Sequence, residues 1–174
     1  MLACLVSLLI CLVTGSAAHG QEKPLLAPAP PHFPTNLKGV RIKLERTSCL
    51  VSCPDYSVTI YGDGTFVYEG HRIVKVKGKQ EGQVPIDAVR ELVHRFFSAD
   101  YFSLTPFSGQ CGGDAPTAVT SIEWPGASKK VTDCGSSIPG SIPAALVELE
   151  SAIDATVNSR QWIGTEGERR RLKD

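Results

Sequence analysis

The chain has no excess of charge of either sign: 18 Lys and Arg stand against 18 Asp and Glu in 174 residues. A broadly cationic surface of the kind that grips nucleic acid is therefore excluded as a starting point, and no polyanion partner is implied. Aromatic residues are scarce at 7%, and long helices have little room among 16 glycines and 12 prolines. That punctuation favours short strands joined by turns. No Cys-x2-Cys pair occurs, which removes the usual signature of zinc ribbons and thiol oxidoreductases. What remains, at 42% hydrophobic and 21% charged residues, is the composition of an ordinary globular domain.

Charged side chains are also missing from Met1 to Gly20, where Leu2 to Val13 is apolar apart from Ser7. A bilayer core needs about 20 apolar residues, and this run gives way to Thr14-Gly15-Ser16-Ala17-Ala18. The expectation is a secretory signal peptide over residues 1–20, cleaved after Ala18 or Gly20, with an uncleaved anchor as the lesser alternative. The chain is thus expected to be periplasmic or secreted. Residues 21–37 hold Pro24, Pro28, Pro30, Pro31 and Pro34 and read as an extended, poorly packed spacer. After the leader, Cys49, Cys53, Cys111 and Cys134 remain. An even number in an oxidising compartment makes disulfides the default, and four cysteines allow three connectivities. Cys49 and Cys53 can close a tight bend, which would leave Cys111 for Cys134; pairing of either of the first two with either of the last two stays open.

A single α+β domain is expected over residues 38–160. Val40, Ile42 and Leu44 alternate with Arg41, Lys43 and Glu45 in the period of a half-buried strand. The same alternation places Arg46 on the apolar side, at the strand's wet end or in an internal ion pair; Asp114 is the proposed partner. Tyr56 to Tyr61 and Thr65 to Glu69 flank Gly62-Asp63-Gly64, a hairpin signal. Arg72 to Lys77 reads as a fourth strand, with Val74 and Val76 on one face. From Pro85, Ile86, Val89, Val93, Phe96 and Phe97 make one helical stripe. Thr117 to Trp124 and Ser128 to Asp133 form a second hairpin about Pro125-Gly126, and Pro143 to Val157 a helix facing inward through Leu146, Leu149 and Ile153. The order β-β-β-β-α-β-β-α predicts an antiparallel sheet of about six strands with two helices packed on it. Residues 161–174, rich in Arg and Glu, read as a charged flexible tail.

The stretch Leu44-Glu45-Arg46-Thr47, then Cys49-Leu-Val-Ser-Cys53-Pro54-Asp55-Tyr56, then Asp63-Gly64, resembles the bacterial family known as domain of unknown function 6438. Weaker matches are Asp114-Ala115-Pro116-Thr117 and the helix Leu146 to Asp154. The resemblance spans roughly Val40 to Asp154. It implies a single compact domain in exported or envelope proteins and transfers no catalytic residue.

No catalytic constellation emerges, nor any metal set or cofactor site. Gly135-Ser136-Ser137-Ile138-Pro139-Gly140 has the wrong glycine spacing for a nucleophile elbow. A four-cysteine zinc site would compete with oxidation. The aromatic residues Tyr101, Phe107 and Trp124 cluster about the 98–116 loop and could offer a binding surface to an envelope protein or peptide. The leading expectation is a non-catalytic binding or accessory domain stabilised by disulfides. The alternatives are a thiol-disulfide redox protein using Cys49 and Cys53, and an inhibitor or partner-binding domain presenting the 98–116 loop.

Overall fold

The computed structural model describes residues 30–47, 49, 52–105, 111, 116–135 and 143–172. The leader, residues 21–29 of the spacer, Asp114 and Phe107 lie outside the described residues. Six strands form one antiparallel sheet: β1 (Arg41–Thr47), β2 (Asp55–Tyr61), β3 (Thr65–Arg72), β4 (Gly78–Gln83), β5 (Thr117–Trp124) and β6 (Ala127–Asp133), in the spatial order β4-β3-β2-β1-β5-β6. β1 to β4 are a meander, and the β5–β6 hairpin adds to the free side of β1. The crossover between them carries α1 (Ile86–Ser98), and α2 (Ala144–Val157) follows the second hairpin. The architecture is the expected α+β sandwich, and among the described residues no helix is long and apolar enough to cross a membrane.

Period-two patterning decides which face is covered. Ile42 and Leu44 of β1, Tyr56, Val58 and Ile60 of β2, Phe66 and Tyr68 of β3, and Ile122 and Val131 of the second hairpin are buried in one cluster. Val89, Leu92, Val93 and Phe96 of α1, with Leu146, Leu149, Ile153 and Val157 of α2, complete it. Each such aliphatic or aromatic side chain contributes about 1.5–3 kcal/mol on burial. On the opposite face Lys43, Glu45, Ser57, Thr59 and Ser121 are only half-buried.

Three regions depart from expectation. The fourth strand is not Arg72 to Lys77 but Gly78–Gln83, whose sequence GKQEGQ carries no apolar alternation. Ile73 turns the chain through φ 53°, so Val74 is buried while Lys75 N–H and Val76 N–H donate to the carbonyls of Ile163 and Trp162. Gly70 makes room for that return, since a Cβ there would lie 2.2 Å from the Val76 carbonyl oxygen. The end of the spacer is packed, not loose: the Phe33 ring sits 4.4 Å from His94 and 5.3 Å from Phe97 on α1, and Leu37 is buried.

Two short helices lie where the sequence suggested a charged tail. α3 (Arg160–Ile163) seats the Trp162 ring 5.1 Å from Tyr68 and 5.9 Å from Phe66, and α4 (Glu166–Arg171) opens on a capping box between Thr165 and Glu168. Charge-rich composition concealed this segment because its apolar anchors among the described residues are two side chains, Trp162 and Ile163, joined by hydrogen bonds to the backbone of a distant loop and to Ser52.

Candidate functional site

β1 brings Arg46 to the helix-covered face two residues beyond Leu44, with its Cα opposite Tyr56 in β2 and Ala118 in β5. α2 crosses above and presents Glu150 and Asp154, one turn apart on the same side of the helix. The Arg46 guanidinium donates from Nη1 to Glu150 Oε2 and from Nε to Asp154 Oδ2, each at 3.3 Å. Tyr56 Oη donates to the Asp154 carboxylate at 2.9 Å, Ser159 Oγ donates to Asp154 Oδ1 at 2.6 Å, and Thr120 Oγ1 donates to Glu150 Oε1 at 3.3 Å. Four strands or helices thus meet in one polar cluster inside an otherwise apolar layer.

The electrostatics follow from burial. Glu150 is 2% exposed. Desolvation pushes its carboxyl up to about 7, with Asp133 and Asp154 adding to the rise while Arg46 and the Thr120 hydroxyl oppose it. Tyr56 is raised above the ordinary phenol range, first by burial and then by the Asp154 charge. Tyr68 is pushed up to about 12 for the same reasons. For Arg46, burial acts downward, but Tyr56, Asp154 and Glu150 outweigh it and hold the guanidinium charged.

Beside this cluster lies a cavity of about 310 Å3, lined by Arg46, Cys53, Tyr56, Asp133, Asp154 and Ile163 among others. The two disulfides flank it. Cys49 bridges Cys53 across the β1–β2 connection with a Cα separation of 5.2 Å, and Cys111 bridges Cys134, the residue after Asp133, at 5.1 Å. This is the local-plus-loop pairing among the three possible, and the four sulfurs are committed to bridges rather than to a zinc site. Asp133, 7% exposed, accepts a hydrogen bond from Gly135 N–H at 2.6 Å on one carboxylate oxygen. α4 ties the neighbouring loop: Arg169 donates from Nε to the Ser52 carbonyl at 3.2 Å and from Nη1 to that of Gly164 at 2.7 Å.

Of the site residues expected from sequence, Arg46 does enter an internal ion pair, and its partners among the described residues are Glu150 and Asp154. Asp114, the partner expected from sequence, lies outside them. The expected aromatic surface is not supported at Tyr101, which is fully buried: its ring meets Phe96 edge-on at 4.8 Å, and its hydroxyl donates to the Thr120 carbonyl at 2.5 Å. Trp124 is half-buried against Phe97 and Phe102, and Phe107 lies outside the described residues. Sequence reading missed Glu150 and Asp154. Glu150 was detectable, because it occupies an inward position in the series Leu146, Leu149, Glu150, Ile153, Val157. Among the described residues no group of three His, Cys, Asp or Glu side chains could hold a metal ion.

Compared with known proteins, residues 40–157 match the family described as Domain of unknown function (DUF6438). No curated protein matches the chain. The matched span contains the whole sheet, both long helices, both disulfides and every charged member of the cluster around Arg46. The chain belongs to this family.

Proposed function

We propose that this chain is an exported, non-catalytic binding domain held by two disulfides, whose pocket between them receives a cationic group. The observation that carries the reading is the charge balance at the cavity. The Asp133 and Asp154 carboxylates lie in its wall with Glu150 behind them, and the one guanidinium lining it among the described residues, that of Arg46, is already shared between Glu150 and Asp154. A second cation entering the pocket would relieve carboxylate repulsion in a medium where water screens poorly. The walls are preorganised, because both disulfides and α4 pin the loops that form them. Export is supported by the uncharged leader and by the even set of cysteines that follows it.

The test uses protein purified from the periplasm or the growth medium. No free thiol should be found, and N-acetyl-arginine amide should saturably shift the amide signals of Cys53, Asp133 and Gly135, while acetate should not. Asp133→Asn, which keeps an acceptor for Gly135, should weaken that binding about tenfold, or about 1.4 kcal/mol. Equal response to acetate, or no response at all, overturns the cationic pocket. Reduction of the Cys49–Cys53 bridge by glutathione under mild conditions would replace the binding reading with the thiol-redox one.

A further inference from the structure

The other end of the sheet, roughly 17 Å along β1 from Arg46 at the rise of a strand, carries a larger groove. Its volume is about 860 Å3, and its walls are the 35–40 turn, the β2–β3 hairpin and the first turns of α1. The walls are fixed in place. Gly62 N–H donates to the Val40 carbonyl at 2.9 Å, and Val40 N–H donates to that of Leu37 at 3.0 Å. Gly62 allows this contact, for a Cβ there would lie 1.7 Å from the Leu37 carbonyl oxygen.

Two of the four large apolar side chains exposed among the described residues line it: Tyr61, 38% exposed, and Ile86, 50% exposed. The groove's charges are unequally engaged. Arg41 Nη2 pairs with Glu123 Oε1 at 2.7 Å, and Asp63 Oδ1 accepts from Thr65 N–H at 2.9 Å and from Thr65 Oγ1 at 2.6 Å. Those local bonds hold the Asp63 carboxyl below its usual range and occupy it. Lys38 and Arg90 line the same groove, are exposed, and have no ion-pair partner among the described residues.

We infer that this groove binds an extended acidic peptide segment, which lays apolar side chains on Tyr61 and Ile86 and carboxylates on Lys38 and Arg90. Exposed apolar side chains beside two cations without ion-pair partners among the described residues are complementary to that chemistry in polarity and sign. Thr35 and Asn36 stand along the groove as polar groups for a peptide main chain. The site is separate from the pocket beside Arg46 and does not depend on what that pocket binds.

Fluorescence anisotropy of the full chain with a fluorescein-labelled Asp-Glu-Phe-Asp-Glu peptide tests the inference, with the corresponding Lys-Lys-Phe-Lys-Lys peptide and decanoate as further probes. The acidic peptide should bind, and rising salt should weaken it. Lys38→Glu with Arg90→Glu, and separately Ile86→Asp, should each lower affinity about tenfold or more. All three side chains are exposed, so thermal melting should be unchanged, and a variant that melts early is replaced by Lys38→Ala with Arg90→Ala. The proposal is overturned if both peptides bind alike, if the charge reversals leave affinity intact, or if no peptide binds. Binding of decanoate without the peptide would make the ligand a lipid and overturn it equally.

Discussion

Two arginines on the same strand have opposite fates. Arg41 and Arg46 sit at the two ends of β1, and the odd spacing between them puts their side chains on opposite faces of the sheet. Arg41 remains 51% exposed and pairs across the sheet with Glu123, itself 44% exposed. Arg46 turns toward α2 and is held between a carboxylate that is 3% exposed and another that is 21% exposed. The difference lies in the parity of position, not in the residue: one step of a period-two pattern decides whether an ion pair is bathed in solvent or must replace solvent. The exposed pair leaves its groove open to other charges, whereas the buried one organises the layer between sheet and helix.

The largest expected effect tests that contrast directly. Arg46→Met should cost about 3–5 kcal/mol in urea unfolding at pH 8, because it leaves buried carboxylates uncompensated. The loss should shrink at pH 5, where Glu150 takes up a proton, and an equal loss at both pH values would break the comparison. A smaller effect concerns Glu150 itself. Its folded carboxyl titrates at about 7, against an ordinary value of 4.5, so between these values the folded chain binds more protons than the unfolded one. Stability must then fall as pH rises through that window, by up to about 3 kcal/mol, and the full penalty is present above it. Glu150→Gln should flatten this profile and melt higher than the parent at pH 8; a variant that keeps the slope would assign the titration elsewhere. The smallest effect is at the other arginine, where a double-mutant cycle of Arg41→Ala and Glu123→Ala should yield a coupling below about 0.5 kcal/mol, vanishing in salt.

Legibility in the sequence followed the range of the forces involved. The strands β1 to β3, both hairpins and the two long helices announced themselves through local period and turn chemistry, since Asp63-Gly64 and Pro125-Gly126 act within a few residues. β4 was hidden because an edge strand carrying Lys79, Glu81 and two glycines is specified by pairing with β3 and by its charge, which discourages further pairing, rather than by apolar alternation. Val74 and Val76 misled because their alternation serves a loop that joins the end of α3. Arg46 could be recognised as a problem of burial, but its partners lie 104 and 108 residues further on, beyond any local signal.

The contact between Trp162 and the β3 aromatics sets an order of events during synthesis. Phe66 and Tyr68 leave the ribosome long before the residue that covers them, and the backbone bonds at Lys75 and Val76 wait for the same segment. A nascent chain halted before α3 therefore holds an uncapped β3 margin and an untethered Cys49–Cys53 loop, both natural points of attack for a protease or a chaperone. Removal of the residues after α2 should therefore be felt first as susceptibility of the 73–77 turn rather than as loss of the sheet.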